Sequence, residues 1–287
     1  MKTHLISPRG KEVAIGEGLP TVLIGERINP FAKGPVKEGM MSGDMAPIRK
    51  AAAEQVEAGA DVLIVSVAAF GIDEVSTLPM VSRAVMDEVD VPLCIESRNA
   101  EALERTLELG CGKPIISSVT GEEQVLKALL PLSARYATAL VALASDASGI
   151  PKDAAGRLAV IRRIVERSDE AGICREDILV DSVAESSAVN DKAAGVTLDT
   201  MRGVKRDMGL NLVLGASNVS FGLPDRKIIN GVFLALAIGA GLDAAITNPA
   251  TMRPYTMATD LLMGRDPRAR LFTAYYRRQR ASAARQP

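Results

Sequence analysis

Histidine is nearly absent from this sequence: among 287 residues the only one is His4. It precedes the first predicted barrel strand, which excludes a histidine general base or a His-ligated metal cluster from a site built further along the chain. Cysteine is almost as scarce. Cys94, Cys111 and Cys174 lie far apart with no C-x-x-C spacing, so neither a zinc knuckle nor a disulfide framework is expected, and a reducing cytoplasm is the expected location. An excess of one charge is also missing. With 34 basic against 35 acidic residues the net charge is -1, which removes the electrostatic basis for binding nucleic acid or an anionic membrane. The longest apolar run, "GVFLALAIGAGLDAAI", is interrupted by Asp243 and too short to span a bilayer. "MKTHLISPRGKEVAIG" at the N-terminus carries early charges and no apolar signal core, so neither export nor membrane insertion is expected. The lack of a Walker A sequence and of G-x-S-x-G argues against nucleotide and serine hydrolases.

What is present is a regular alternation. Short apolar runs at 21–26, 60–68, 91–97, 113–119, 137–144, 177–183, 210–217 and 241–247 are bounded by polar or Gly/Pro signals, as expected for strands buried on both faces. Between them lie helical patterns such as "DMAPIRKAAAEQVEAGA", "NAEALERTLELG", "GEEQVLKALLPLSARY" and "AAGRLAVIRRIVERSDEAG". Eight such units in 287 residues predict a single parallel (β/α)8 barrel, an α/β fold spanning 1–287 with a basic tail from about 268 to 287. The competing fold is a doubly wound sheet. No G-x-G-x-x-G follows the first strand, and the spacing marks no point where strand order would reverse. The tail reads as a last helix followed by a solvated end.

Barrel active sites lie at the C-terminal ends of the strands, so the polar residues there are the candidates. They are Glu26, Arg27 and Asn29 after strand one, Ser66 at strand two, Glu96 and Ser97 at strand three, Ser117 and Ser118 at strand four, and Asp146 beyond strand five. Asp181 and Ser182 end strand six, Asn218 follows strand seven and Asn248 follows strand eight. "LGASNVSFGLPDR" (214–226) displays Asn218 among Gly215, Ser217 and Ser220, and a close-packed core has little use for such an amide. Carboxylates and amides without metal or nucleophile suit recognition of a polar heterocycle. A pterin is one, because its amide N–H and adjacent amino group form a donor edge that one carboxylate can grip twice. The bland alternatives are helix caps for Asp181 and Asn218, and an ion pair between Glu26 and Arg27.

The ordered set "IGERINP" (24–30), "VPLCIES" (91–97), "KPIISSVTGEE" (113–123), "SNVSFGLPDR" (217–226), "AGLDAAITNP" (240–249) and "DLLMGRD" (260–266) resembles the pterin-binding methyltransferase family. That family includes methyltetrahydrofolate:corrinoid methyltransferases and the folate module of cobalamin-dependent methionine synthase, and is related to dihydropteroate synthase. The resemblance implies a homodimeric barrel that moves the N5-methyl group between tetrahydrofolate, or a related tetrahydropterin, and the cobalt of a corrinoid. On this likeness Asp181 grips the pterin's amino edge and Asn218 is the catalytic residue at N5. Gly215 and Ser217 let the ring approach, Arg226 lies toward the p-aminobenzoyl-glutamate end, and Glu26, Asn29, Glu96, Ser117 and Asn248 complete the substrate site. No metal is bound directly. Corrinoid carriers hold cobalt through Asp-x-His-x-x-Gly, and the surroundings of His4 do not match, so the corrinoid is expected on a separate protein.

The chain departs from the family at three places. Ile64-Val65-Ser66 stands where Asp-Val-Asn is usual, Glu96 replaces an Asp, and Ser117 replaces an Asn. Either Ser117 makes room for the longer Glu96, or the pterin or the ligand itself has changed. Two further readings are a dihydropteroate synthase-like enzyme, disfavoured by "ERINP" after strand one, and a pterin-binding protein without methyl transfer.

Overall fold

The computed structural model describes residues 1–31 and 34–283. An antiparallel hairpin, β1 (Lys2–Ile6) and β2 (Glu12–Gly16), precedes eight parallel strands. These are β3 (Val22–Ile28), β4 (Val62–Ser66), β5 (Leu93–Glu96), β6 (Ile115–Val119), β7 (Ala139–Leu143), β8 (Ile178–Asp181), β9 (Asn211–Gly215) and β10 (Ala244–Thr247). They close in chain order, with β10 pairing back onto β3, into the expected barrel. Closure without a reversal of strand order rules out the doubly wound sheet.

Around the barrel run α1 (Pro35–Ser42), α2 (Ala46–Glu57), α3 (Glu74–Glu88), α4 (Ala100–Leu107) and α5 (Glu123–Tyr136). The ring continues with α6 (Ala154–Glu170), α7 (Ala193–Asp207), α8 (Arg226–Gly239) and α9 (Pro249–Leu262), and α10 (Arg270–Ala283) follows. Several starts are written locally. Asn99 accepts from the Glu101 and Ala102 N–H groups, and Asp153 from that of Gly156, so each side chain satisfies donors that a first helical turn leaves open. Close packing of α2 on the barrel needs a glycine: a Cβ on Gly25 would stand 2.6 Å from Gln55 Oε1 and 2.9 Å from Leu63 Cδ2.

Strand alternation divides the apolar residues into two cores. Outward-facing Leu23, Leu63, Val65, Leu93, Ile95, Leu140, Val180 and Leu212 pack under the helices. Inward-facing Ile24, Ile64, Cys94, Ile115, Val141, Leu179 and Val213 fill the lumen, together with Leu5 and Ile15 of the hairpin. The hairpin therefore plugs the N-terminal end of the barrel. Asn211, at the start of β9, fastens it by donating to Thr3 Oγ1 at 3.0 Å and to the Ile15 carbonyl at 3.1 Å. Sequence reading treated residues 1–16 only as a segment without a signal core; the pairing that makes them a plug is non-local. The basic tail forms α10 as far as Ala283, and residues 284–287 lie outside the described residues. Among the described residues no helix is long and apolar enough to cross a membrane.

Candidate functional site

The same alternation decides what lines the C-terminal mouth. Two residues above the lumen-filling Ile24, Ile64, Cys94, Ile115, Leu179 and Val213 come Glu26, Ser66, Glu96, Ser117, Asp181 and Gly215. A layer of carboxylates, hydroxyls and one glycine thus lies directly on an apolar plug. Five of the polar strand ends named from sequence belong to one ring.

Glu96 sits between its two shortened neighbours. It pairs in register with Ser66 of β4 and with Ser117 of β6, and the Ser66 hydroxyl hydrogen-bonds its carboxylate. Its side chain remains open to the mouth, yet the surrounding protein raises its pKa, with Ser66 and Arg98 opposing. The family's three departures therefore form one contiguous patch on adjacent strands. Beneath it Cys94 is fully buried, and desolvation pushes its thiol up beyond any reactive range, as expected for a packing residue.

Asp181 is nearly buried, at 8% exposure. One oxygen accepts from the Val183 N–H at 2.7 Å and the other from the Gly215 N–H at 3.3 Å. Each carboxylate oxygen has a second lone pair, so these bonds fix the group without exhausting it. Burial pushes the Asp181 carboxyl up to about 6; the two N–H bonds and the Arg157 charge oppose the rise, and the Glu96 charge adds to it. Asp181 caps no helix.

Across the mouth, β9 ends in a single 3-10 turn, Ala216–Ser220. Ser217 Oγ donates to Glu26 Oε1 at 2.8 Å and lies 3.2 Å from Thr247 Oγ1, tying the turn to β3 and β10. Glu26 is thereby bonded to Ser217, while Arg27 pairs with Glu54 at 3.0 Å, which overturns the Glu26–Arg27 ion pair as an alternative. Desolvation raises the Glu26 pKa against the Ser217 bond and the Arg226 charge. The Arg226 guanidinium braces the turn from outside. Its Nη2 donates to the Ser217 carbonyl and its Nε to Ser220 Oγ, both at 2.9 Å, and the group lies 4.5 Å over the Phe221 ring.

Asn218 stands at the exposed apex of this turn, with its side-chain nitrogen 3.1 Å from where a Cβ on Gly215 would be. No described residue hydrogen-bonds its side-chain amide, and α8 begins only at Arg226, with Asp225 in the cap position, so the helix-cap alternative fails for Asn218 as well. It does hold for Asn248, whose side-chain oxygen accepts from the Ala250 N–H at 3.1 Å and starts α9. Asn29 is built into its own loop, donating to the Glu26 carbonyl and accepting from the Phe31 N–H at 2.9 Å. Asp146 closes a local turn by accepting from the Ser148 N–H and hydroxyl. It does not join the ring.

Sequence reading missed Arg157 of α6, which is fully buried behind Asp181. Its position, four residues after the Asp153 cap on the helical face shared with Leu158, Val160, Ile161 and Ile164, was the only local signal. Thr247 was missed too, because a threonine ending an apolar strand carries no signature. Among the described residues, no group of three or more His, Cys, Asp or Glu side chains is arranged to hold a metal ion.

A barrel mouth that carries carboxylates, serines and an exposed amide has the donors and acceptors that suit a polar heterocycle. The family of pterin binding enzymes matches over residues 25–248, and the chain belongs to that family. A methylcorrinoid:tetrahydrofolate methyltransferase of Eubacterium limosum is 32% identical over 267 residues, covering 89% of this chain and 96% of the relative. Methionine synthase of Mycobacterium tuberculosis is 27% identical over 84% of this chain, which spans only 21% of that longer protein. Among solved structures, dihydropteroate synthase of Xanthomonas albilineans superposes with a TM-score of 0.68 at 16% identity, covering 92% of this chain and 99% of the other. The Yersinia pestis enzyme gives 0.66 at 16% identity, with 91% and 98% covered. At such identities these structures speak for the fold alone.

Proposed function

We propose that the protein is a methyltransferase that moves a methyl group between the cobalt of a corrinoid and N5 of tetrahydrofolate, with the whole chain acting as one domain. The likeness to the Eubacterium limosum methylcorrinoid:tetrahydrofolate methyltransferase over nearly its full length supports this activity and favours transfer from methylcorrinoid to folate. The observation that carries the site is the Asn218 amide, exposed and without a hydrogen-bond partner among the described residues, beside a ring of carboxylates.

The pterin's pyrimidine edge lies on Asp181, whose remaining lone pairs accept its N–H and amino donors. Glu96, Ser66 and Ser117 line the adjacent wall, the two short residues leaving room for the longer carboxylate. Gly215 keeps the strand end bare so that the ring can approach the backbone, and Ser217 holds Glu26 and the turn in place. In the transfer itself the N5 lone pair attacks the methyl carbon in line. The cobalt–carbon bond breaks with both electrons left on cobalt, giving Co(I), and the N5 proton departs to solvent. N5 gains positive charge on the way, and the Asn218 carbonyl oxygen can accept its N–H. In the reverse direction the N5 that departs carries that proton and meets the same carbonyl oxygen, so one contact serves both directions of a single transition state. Arg226 and Asn248, each already engaged in shaping a loop or a helix start, border the site where the rest of the folate would extend.

The corrinoid rides on a separate protein docked over the mouth. Supporting this, Phe31, Phe70, Val189 and Phe221 stand exposed on loops that follow β3, β4, β8 and β9, all at the same end of the barrel, and Phe70 is wholly uncovered. Phe70→Asp should raise the concentration of corrinoid protein needed for half-maximal rate by about tenfold and leave the rate with free methylcobalamin unchanged. Equal effects on both would remove Phe70 from the docking surface. A homodimer is supported by Ile228, Val232 and Leu236, a stripe of exposed apolar residues four apart along α8. Sedimentation of a monomer at micromolar concentration would contradict it. The cytoplasm fits three unpaired cysteines and a Co(I) product that requires reducing surroundings.

The deciding experiment mixes the protein with methylcobalamin and tetrahydrofolate without oxygen and follows Co(I) and 5-methyltetrahydrofolate. Binding of tetrahydrofolate without transfer would leave only the reading of a pterin-binding protein.

A further inference from the structure

Val183, two residues past Asp181, has φ of +61°. For a β-branched residue the left-handed region is strongly disfavoured, so something must hold it there. The holder is visible. The Val183 carbonyl accepts from Arg157 Nη1 at 2.7 Å and from Thr197 Oγ1 at 2.8 Å, and the same Arg157 nitrogen also donates to the Ser182 carbonyl at 2.8 Å. Arg157 Nε donates to the Pro151 carbonyl at 3.0 Å and its Nη2 pairs with Glu185. A fully buried guanidinium on α6 and a fully buried threonine on α7 thus converge on one peptide. The consequence lies on the other side of that residue, where the Val183 N–H is turned onto Asp181 Oδ1.

We infer that Arg157 and Thr197 are positioning residues for Asp181: they lock Val183 in a left-handed backbone, and the locked N–H orients the carboxylate for the pterin. This rests on the pterin reading of the site. Neither residue touches the ligand. Without the clamp Val183 relaxes toward an ordinary backbone, a shift on the order of tenfold in population, and the fraction of molecules able to bind falls by the same factor. Glycine at 183 would occupy the same backbone at little cost, because it has no Cβ to clash. This separates positioning from mere support: if the clamp acts through the Val183 backbone, glycine there makes it dispensable.

The test compares Thr197→Val and Arg157→Lys, each alone and combined with Val183→Gly, by calorimetric binding of tetrahydrofolate. Thr197→Val is nearly isosteric and guards against loss of folding in the arginine variant. Each single clamp variant should weaken binding by about tenfold, and Val183→Gly should recover most of the loss. A second readout needs no pterin: the carboxyl carbon-13 signal of Asp181 in the ligand-free protein should titrate at higher pH in both clamp variants. The groups facing this carboxyl are the Val183 and Gly215 N–H groups, Arg157 from α6 and Glu96 from β5, and Glu185 stands behind Arg157 with Lys152. Parent-like affinity and titration in both clamp variants would overturn the inference, and so would an affinity loss that glycine at 183 fails to restore. Should the parent protein bind no tetrahydrofolate, the pterin reading falls, and the Asp181 titration alone decides whether the clamp positions that carboxylate.

Discussion

Asn218→Ala is expected to bind tetrahydrofolate almost as well as the parent protein and to transfer methyl about a hundredfold more slowly. Binding should survive because Asn218 sits at an exposed apex, and the turn beneath it is held by the Ser217–Glu26 and Arg226 bonds, which the substitution leaves alone. Folding should survive for the same reason. The amide has no partner to lose among the described residues, so its removal strands no buried group there. The loss should fall on the transfer step because charge at N5 changes most there, and one preorganised polar group facing a developing charge contributes roughly 3 kcal/mol. Single-turnover rates with methylcobalamin and separate affinity measurements give both quantities. A parent-like rate would dismiss Asn218 from the chemistry and leave it as a loop residue.

Asp181→Asn is expected to act on binding and to stabilise the empty protein at the same time. The pterin edge offers only donors to this position. An asparagine can place its one oxygen there but must also present an NH2 group, so affinity should fall by about a hundredfold or more. Stability should move the other way at neutral pH. Folding raises the Asp181 carboxyl from its usual 3.8 to about 6, so between these values the folded state holds more protons than the unfolded state. Stability is then lost as pH rises through that window and stays lost above it. Two pKa units correspond to about 3 kcal/mol, and the weaker bonds of a neutral amide to the Val183 and Gly215 N–H groups return part of that. The expected net gain at pH 7 is about 1–2 kcal/mol, vanishing near pH 4, as read from denaturant unfolding at both values. The parent's pterin affinity should rise as pH increases through about 6, whereas that of Asp181→Asn should not. A pH-independent parent affinity would show that the ligand does not depend on Asp181 being ionised.

Most of the barrel was legible in the sequence because strands buried on both faces must be apolar throughout, and the helices covering them must be amphipathic. All eight predicted runs contain or overlap the strands that form, with β3 continuing two residues past its predicted end to Ile28. The site was legible through the same regularity. In a parallel barrel the polar residues ending the strands have one place to go, and Glu26, Ser66, Glu96, Ser117 and Asp181 all go there. The local sequence could not say which polar residues are available and which are committed. Asn248 and Asn218 follow successive strands and look alike on paper, yet the first caps the helix that starts at the next residue and the second is left open by a turn that ends before α8 begins.

By itself, then, this sequence determined the eight barrel strands and the polar residues at their ends, because those follow from periodicity and residue type along the chain. Only the tertiary structure decided that residues 1–16 plug the barrel, that the three departures from the family meet on neighbouring strands, and that Arg157 and Thr197 close on Val183. Each of these depends on groups far apart in the chain being brought within hydrogen-bonding or packing distance, where energies act over a few ångströms and leave no trace in local spacing.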